Sequence, residues 1–418
     1  MRLATCLIAI LIAILPLGAA ETFLIQNVTV HPVTSPEIAG ASVYVENGKI
    51  AEIGPKIVKP KSVRVIEGKG LHLYPGMINS ATEVGLTEIG SVRETADTTE
   101  LGTYNPQLHA LSAVNPASEH FPVVRANGIT SVMTIPQGGV IAGQAALIHT
   151  DGWTWEDMAI KRAAAMHLRF PTYSASAGRG FRGGSATPPL FAEAKRNHEK
   201  NMRELNDFFE QARRYQKGHD KQDLKFEAML PVLERKLPVM VFAVREREIL
   251  EVIQFAEKQK IHVVLAGVRK PGKALQEIKA KNIPVILGQT LALPMQEDDF
   301  YDDPATLPAE LHRAGIKFAF ATFDVQFVRN LPFEAANAVA YGLPYEEALK
   351  AVTINAAEIW GVGDQIGSIE KGKLADLILT DGDPLETKTQ IKQMFIAGKS
   401  VDLESKHYKL YQKYLNRP

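Results

Sequence analysis

From about residue 129 onward, short apolar runs alternate with amphipathic stretches, and this alternation constrains the fold more than any other feature of the chain. The runs 129–135, 239–243, 261–265, 284–287 and 317–321 are brief and apolar, as strands buried on both faces must be. Helical stretches lie between several of them. In 246–259, for example, Ile249, Ile253 and Ala256 share one face. Alternation over this length predicts an α/β fold with a parallel sheet closed into a (β/α)8 TIM-like barrel. A chain of 418 residues, 45% hydrophobic, is ample for that core.

The flanks read differently. Residues 22–30, 41–45, 50–53 and 62–66 are rich in β-branched side chains, and Asn47-Gly48 between two of these runs is a hairpin signal. Strand-like runs return at 366–369, 375–379 and 393–396. The economical arrangement is a small composite β-sandwich domain from residues 21–74 and 366–402. The barrel, 75–365, is inserted in it, and a helical tail occupies 403–418. One insertion does not fit a plain barrel. Residues 171–189 are rich in Gly, Ser and Pro, and a polar helix is expected over 191–215 with Met202, Leu205, Phe209 and Ala212 on one side. It is open to two readings, a cover for the barrel mouth or a surface decoration.

Residues 1–20 are set apart from the fold. A basic Met1-Arg2, an apolar run over 3–17 and the small residues Gly18-Ala19-Ala20 form a secretory signal pattern, cut after Ala20, with an uncleaved anchor helix as the alternative. An exported protein, periplasmic or extracellular, is expected. The single cysteine, Cys6, lies in this segment, so the mature chain has no disulfide, zinc-thiolate site or cysteine nucleophile. Lys+Arg and Asp+Glu both number 47. That balance provides no long-range field for nucleic acid or anionic lipid, and neither is expected as a partner of the mature chain. A small-molecule ligand is expected, and a homo-oligomer or a paralogous partner subunit is compatible with the sequence.

Four blocks carry a family resemblance. They are Leu73-Tyr74-Pro75-Gly76-Met77-Ile78-Asn79; Gly342 to Leu349 with Thr353 to Ile359; Ile366 to Leu377; and Asp381-Gly382-Asp383-Pro384-Leu385. Together they resemble the barrel entry, last helices and returning strands of the amidohydrolase superfamily, especially its imidazolonepropionase-like group. The blocks are mostly structural; Asp376 is expected to brace backbone in the β domain. The resemblance implies metal-assisted hydrolysis of a C–N bond in a cyclic amide or dipeptide-like compound. It also implies metal ligands at strand C-terminal ends, beginning with His-x-His on the first barrel strand, where alternate residues point the same way.

The expected histidines are replaced. Aligned on Pro75-Gly76, the first-strand positions are Ala81 and Glu83, preceded by Asn79 in place of Asp. The middle-strand positions are Phe242 and Gly267, and His262 falls at the wrong end of its strand. Asp324, after the run 317–321, matches the late-strand aspartate that binds metal and moves the proton of the attacking water. Its other reading is a helix cap. Glu83 and Asp324 are therefore the metal candidates, for at most one divalent ion, with Asp324 also the catalytic candidate. Glu88 and Asp97 could extend them into an oxygen-rich site, against the plainer reading of a solvated acidic loop that also holds Glu94 and Glu100. Arg93 and Arg245 are the substrate-binding candidates, with Arg125 a further guanidinium that could bind an anion. Trp153, Trp155 and Glu156 read either as a pocket lining or as core packing at a capped helix start. Two functions stay open. One is a hydrolase with a reduced or atypical site; the other is a non-catalytic barrel that binds a small molecule or partners an active paralogue.

Overall fold

The computed structural model describes residues 21–58, 62–173, 191–294 and 299–417. The signal pattern at 1–20 and the glycine-rich stretch 174–190 lie outside them. Two sheets organise the chain. The first gathers β1 (Phe23–Val30), β2 (Ile38–Glu46), β3 (Lys49–Gly54), β4 (Arg64–Glu67) and β5 (His72–Pro75) with three late strands, β14 (Leu377–Thr380), β15 (Ile391–Ile396) and β16 (Lys399–Val401). Its order is β16-β15-β14-β5-β1-β2-β3, with β4 also on β1. The β2–β3 turn is Asn47-Gly48, both at positive φ (52° and 78°), the geometry this dipeptide favours. β1 serves two partners: its first half pairs with β4 and its end with β5. The switch falls at Asn27, where φ is 58°. Phe23, Ile25, Val43, Leu377 and Phe395 pack into one core inside this sheet domain. The 366–369 run is not a strand; it lies in bends, with Ile366 and Ile369 still buried.

The second sheet is the barrel, ordered β13-β12-β11-β10-β9-β8-β7-β6. Its strands are β6 (Met77–Thr82), β7 (Ile129–Thr134), β8 (Ile141–His149), β9 (Ala159–Leu168), β10 (Val239–Phe242), β11 (Val263–Ala266), β12 (Val285–Leu287) and β13 (Phe318–Phe320). The strict parallel expectation is corrected at one strand: β8 runs antiparallel to both neighbours. Only six residues join β7 to β8, including Gly138 and Gly139 at positive φ. A parallel return needs a crossover of about a dozen residues, so the short turn forces reversal. The ends meet through side chains and backbone: Phe323 N–H donates to the Ala81 carbonyl at 2.9 Å, and Asn79 Nδ2 donates to Thr322 Oγ1 at 2.9 Å.

The strands alternate with a period of two. On β10, Val239 and Val241 face the outer helices while Met240 and Phe242 face the barrel interior. The helices outside the sheet are α1 (His120–Arg125), α2 (Trp155–Met158), α3 (Phe191–Lys217), α4 (Leu224–Leu233), α5 (Glu246–Gln259), α6 (Ala274–Ala280), α7 (Asp303–Ala314), α8 (Leu331–Ala340) and α9 (Tyr345–Ala351), while α10 (Ile354–Ile359) packs Ala356 and Ala357 into the interior cluster. α3 runs alongside α5: Phe209 meets Phe255 edge-on at 5.3 Å, and Gln259 bonds Asn206 at 3.0 Å. Thr154 and Asp157 close a capping box on α2. Trp153, next to it, is not core: 85% of it is exposed. A last helix, α11 (Lys406–Leu415), follows β16. Asp376 braces the junction of the two sheets. It accepts from Ala397 N–H at 2.7 Å and bonds His149 Nε2 of β8 at 2.9 Å.

Candidate functional site

The C-terminal ends of the parallel strands form the barrel mouth, where such folds place their chemistry. Ala81 and Glu83 lie at the end of β6 and just beyond it, Gln137 follows β7, His167 ends β9, and Phe242 ends β10. Gly267 follows β11, Gln289 follows β12, and Asp324 follows β13. The interior cluster includes the small side chains Ala165, Ala266, Ala319 and Ala321 beside larger ones such as Met133, Met240 and Ile286. Rings pack together at the mouth. Phe242 packs on Phe323 with centroids 4.9 Å apart and on His167 at 5.5 Å. A Cβ on Gly267 would stand 3.1 Å from Phe242 Cδ1. Phe323 holds φ at 58°, an uncommon conformation for a bulky residue, fixed by its N–H bond to Ala81.

Two of the predicted site residues come together. Glu83 and Asp324 are close enough for the charge of Asp324 to raise the proton affinity of Glu83. Burial is the larger cause for Glu83, and Thr87 and Gln137 oppose it by hydrogen bonding. Burial also raises Asp324 above the ordinary carboxylate range, against bonds from Phe327 N–H at 2.8 Å and Gln289 Nε2 at 2.7 Å. Both readings of Asp324 thus have a physical basis: one oxygen caps the turn that starts the next helical segment, and the other faces Gln289. Behind it, Glu334 is 2% exposed and sealed by Thr290 and Leu291.

The other candidates lie apart. Arg93 stands exposed on a 3-10 turn. Arg245 is at the rim but committed to Asp299 at 3.0 Å. Arg125 pairs with Asp151 at 2.7 Å and bonds the Thr150 carbonyl, beyond the far end of β8. Glu88 accepts from Asn115, and Glu94, Asp97 and Glu100 are exposed. His262 is exposed at the opposite end of the barrel, bordering a cavity of about 790 Å³ with Lys161 and Trp360.

A zinc centre takes three or four side-chain donors. At the strand ends Ala81, Phe242 and Gly267 offer no donor atom; the donors present are the carboxyls of Glu83 and Asp324, each beside a glutamine amide, and the buried imidazole of His167 at the end of β9. Among the described residues, no group of three or more His, Cys, Asp or Glu could hold a metal ion. The donor set at this mouth does not fit the superfamily's ordinary centre.

His167 is a site residue that sequence reasoning missed. It is fully buried; Nδ1 lies 2.5 Å from the Pro136 carbonyl, and Nε2 has no protein partner. The carbonyl can only accept, so Nδ1 carries the proton and Nε2 is a bare lone pair. Burial pushes its pKa down to about 4. The signal lies in the run 159–168, whose alternation sets Ala165 and His167 on one face, but the run is alanine-rich, with Ile160 its one β-branched residue, and so lacks the composition that marks a strand.

Comparison with known proteins agrees with this architecture. The "Amidohydrolase family" model matches residues 234–401. "Amidohydrolase tasK" of Hapsidospora irregularis is 24% identical over 91% of this chain but only 43% of its own length. An imidazolonepropionase of Flavobacterium johnsoniae is 31% identical over 37% of this chain and 42% of its own. The chain thus spans less than half the length of these curated relatives. The crystal structure of an amidohydrolase from Thermotoga maritima MSB8 superposes with a TM-score of 0.76 at 28% identity, covering 91% of this chain and 99% of that one. The fold, the matched model and these relatives agree: this chain belongs to the amidohydrolase superfamily.

Proposed function

We propose that this protein is a small-molecule-binding member of the superfamily, whose mouth recognises a polar ligand through Glu83 and Asp324 and does not assemble the ordinary metal centre. One observation carries the reading: the rings of Phe242 and Phe323 fill the interior beside Gly267, where donor side chains would have to converge. The carboxyls, each beside a glutamine amide, suit a ligand that presents N–H or O–H donors, such as a lactam or a dipeptide-like amide. Two desolvated carboxyls that repel one another also favour a second reading. It is hydrolysis of a non-peptide C–N bond with Asp324 as general base, because a raised proton affinity brings such a base nearer to working pH.

One experiment separates the two. The purified protein is screened by thermal shift and by turnover against small lactams, cyclic ureides and dipeptides. The first reading expects a ligand that raises Tm without being consumed and whose effect is lost in Asp324→Asn. Steady turnover abolished by Asp324→Asn would instead establish the second. The pattern at residues 1–20 supports an exported location, periplasmic or extracellular. The balanced charge favours small-molecule or protein partners over nucleic acid and membrane.

A further inference from the structure

The N-terminal ends of the barrel strands border a cavity of about 790 Å³, at the opposite end from Glu83 and Asp324. That volume lies within the range of small-molecule sites. Three helix-to-strand turns shape it. They follow α4, α5 and α6 and bring Arg235, Lys260 and Lys281 to its rim. Buried Ile253, Ala256, Ile261 and Ile283 supply an apolar wall. Lys161 of β9 and Trp360, just after α10, complete it.

Charge at this cavity is one-sided. Five cations border it, Lys161, Arg235, Lys236, Lys260 and Lys281, against one carboxylate, Glu257. Lys236 pairs with Glu234 at 2.8 Å, and Lys281 pairs with Glu257 and Glu277. Among the described residues, Lys161, Arg235 and Lys260 form no ion pair. Arg235, Lys260 and Lys281 stand at helix C-termini, where a cation offsets the dipole without any ligand. Lys161 stands on a strand. Its half-buried ammonium donates to the Trp360 carbonyl at 2.9 Å and keeps two further N–H donors. Burial lowers its proton affinity, and Asp364 opposes this from beyond ion-pair range. Trp360 is fully buried, and its indole Nε1 has no acceptor among the described residues. A buried indole N–H ordinarily has one.

We propose that this cavity is a second binding site, for a small carboxylate with an apolar body, such as an aromatic or short aliphatic acid. The carboxylate pairs with Lys161 inside the rim of Arg235 and Lys260, and the body lies along Ile253, Ile261 and Ile283. A carboxylate supplies the counter-charge that half-buried Lys161 lacks, and such bonds strengthen where water is partly excluded. The apolar wall favours an organic acid over an inorganic anion, which has no hydrocarbon to bury. The same ligand is unsuited to the mouth, where Glu83 and Asp324 would repel it. The site therefore stands apart from the ligand proposed there.

The test is isothermal titration of the purified chain with phenylacetate up to about 10 mM, with neutral phenylacetamide and inorganic phosphate as comparison probes. The expected result is one site per chain, with phenylacetate at least about tenfold tighter than either comparison probe. Lys161→Met keeps an unbranched side chain and removes the charge; it should weaken phenylacetate at least about tenfold. Arg235→Gln with Lys260→Gln alters only exposed side chains, so it keeps the test alive if Lys161→Met does not fold, and should weaken binding about threefold. Asp324→Asn, at the mouth, should leave this affinity unchanged. A second readout locates the ligand. The chain has three tryptophans. In Trp153→Phe with Trp155→Phe only Trp360 remains, and phenylacetate should change its emission over the same concentrations. The proposal is overturned by no saturable binding, by equal affinity for phenylacetamide or phosphate, by indifference to every folded cation variant, or by a silent Trp360. Binding lost in Asp324→Asn would overturn it by placing the acid at the mouth.

Discussion

The rings of Phe242 and Phe323 lie 4.9 Å apart, tilted by 59°, across the interior of the barrel mouth. Phe242 ends β10 and Phe323 follows β13, three strands away in the sheet, and both pack against the same buried interior cluster. This contact occupies the mouth between Gly267 and His167.

The contact predicts a coupling between Phe242 and Gly267. Gly267 holds φ at 70°, and its absent Cβ would press on Phe242. Gly267→Ala should destabilise by about 1–3 kcal/mol, from the backbone conformation and the contact together. Phe242→Ala alone should cost about 3 kcal/mol. In the double variant the contact is relieved, so urea denaturation should show a total smaller than the sum of the two. Strict additivity would remove the steric role assigned to Phe242.

Glu83 and Asp324 predict a pH signature. Both carboxyls bind protons more tightly in the fold than the free residues do. The folded protein therefore holds more protons than the unfolded chain above the ordinary carboxyl range, and stability falls as pH rises through the raised values. Glu83→Gln and Asp324→Asn should raise Tm by about 1–3 °C at pH 8, with the gain vanishing near pH 4. A loss of stability at pH 8 in both variants would contradict the placement of the carboxyls.

His167 has the opposite sign. Its pKa is lowered to about 4 by burial, so it is neutral in the fold, while the unfolded chain takes up a proton near 6.5. Its contribution is present above pH 6.5 and lost as pH falls from 6.5 toward 4, up to about 3 kcal/mol in all. His167→Asn, which can keep a donor to the Pro136 carbonyl, should flatten stability over that window. An unchanged pH profile would mean that His167 is not the buried neutral group described.

The sequence showed the barrel through its apolar strands, and α5 through its single buried face. It did not show β8 and β9. Their runs are rich in alanine and lack the bulky β-branched pattern, and β8 reverses direction because a short Gly-Gly turn replaces a crossover. At the site, Glu83 and Asp324 could be named from their positions relative to the strand ends. The ring packing could not, because Phe242 and Phe323 are 81 residues apart and meet only when the sheet closes. Arg245 was placed at the rim from its strand, but its pairing with Asp299 depends on a loop that no sequence pattern marks.

The junction of the two sheets rests on His149 and Asp376, both nearly excluded from solvent and 2.9 Å apart. Asp376→Ala leaves the imidazole and the Ala397 N–H without their acceptor. It should cost about 3 kcal/mol. Ligand response at the mouth should persist under conditions where the variant is folded. Loss of binding in a fully folded variant would show that the junction shapes the site.

The most direct test of the central claim is the divalent-metal content of purified wild-type protein and Asp324→Asn after growth and dialysis with zinc and manganese. A mouth filled by Phe242 and Phe323 predicts well under one ion per chain, roughly a tenth or less, and no difference between the two proteins. One or more ions per wild-type chain, lost in Asp324→Asn, would contradict it and restore a metal-dependent centre.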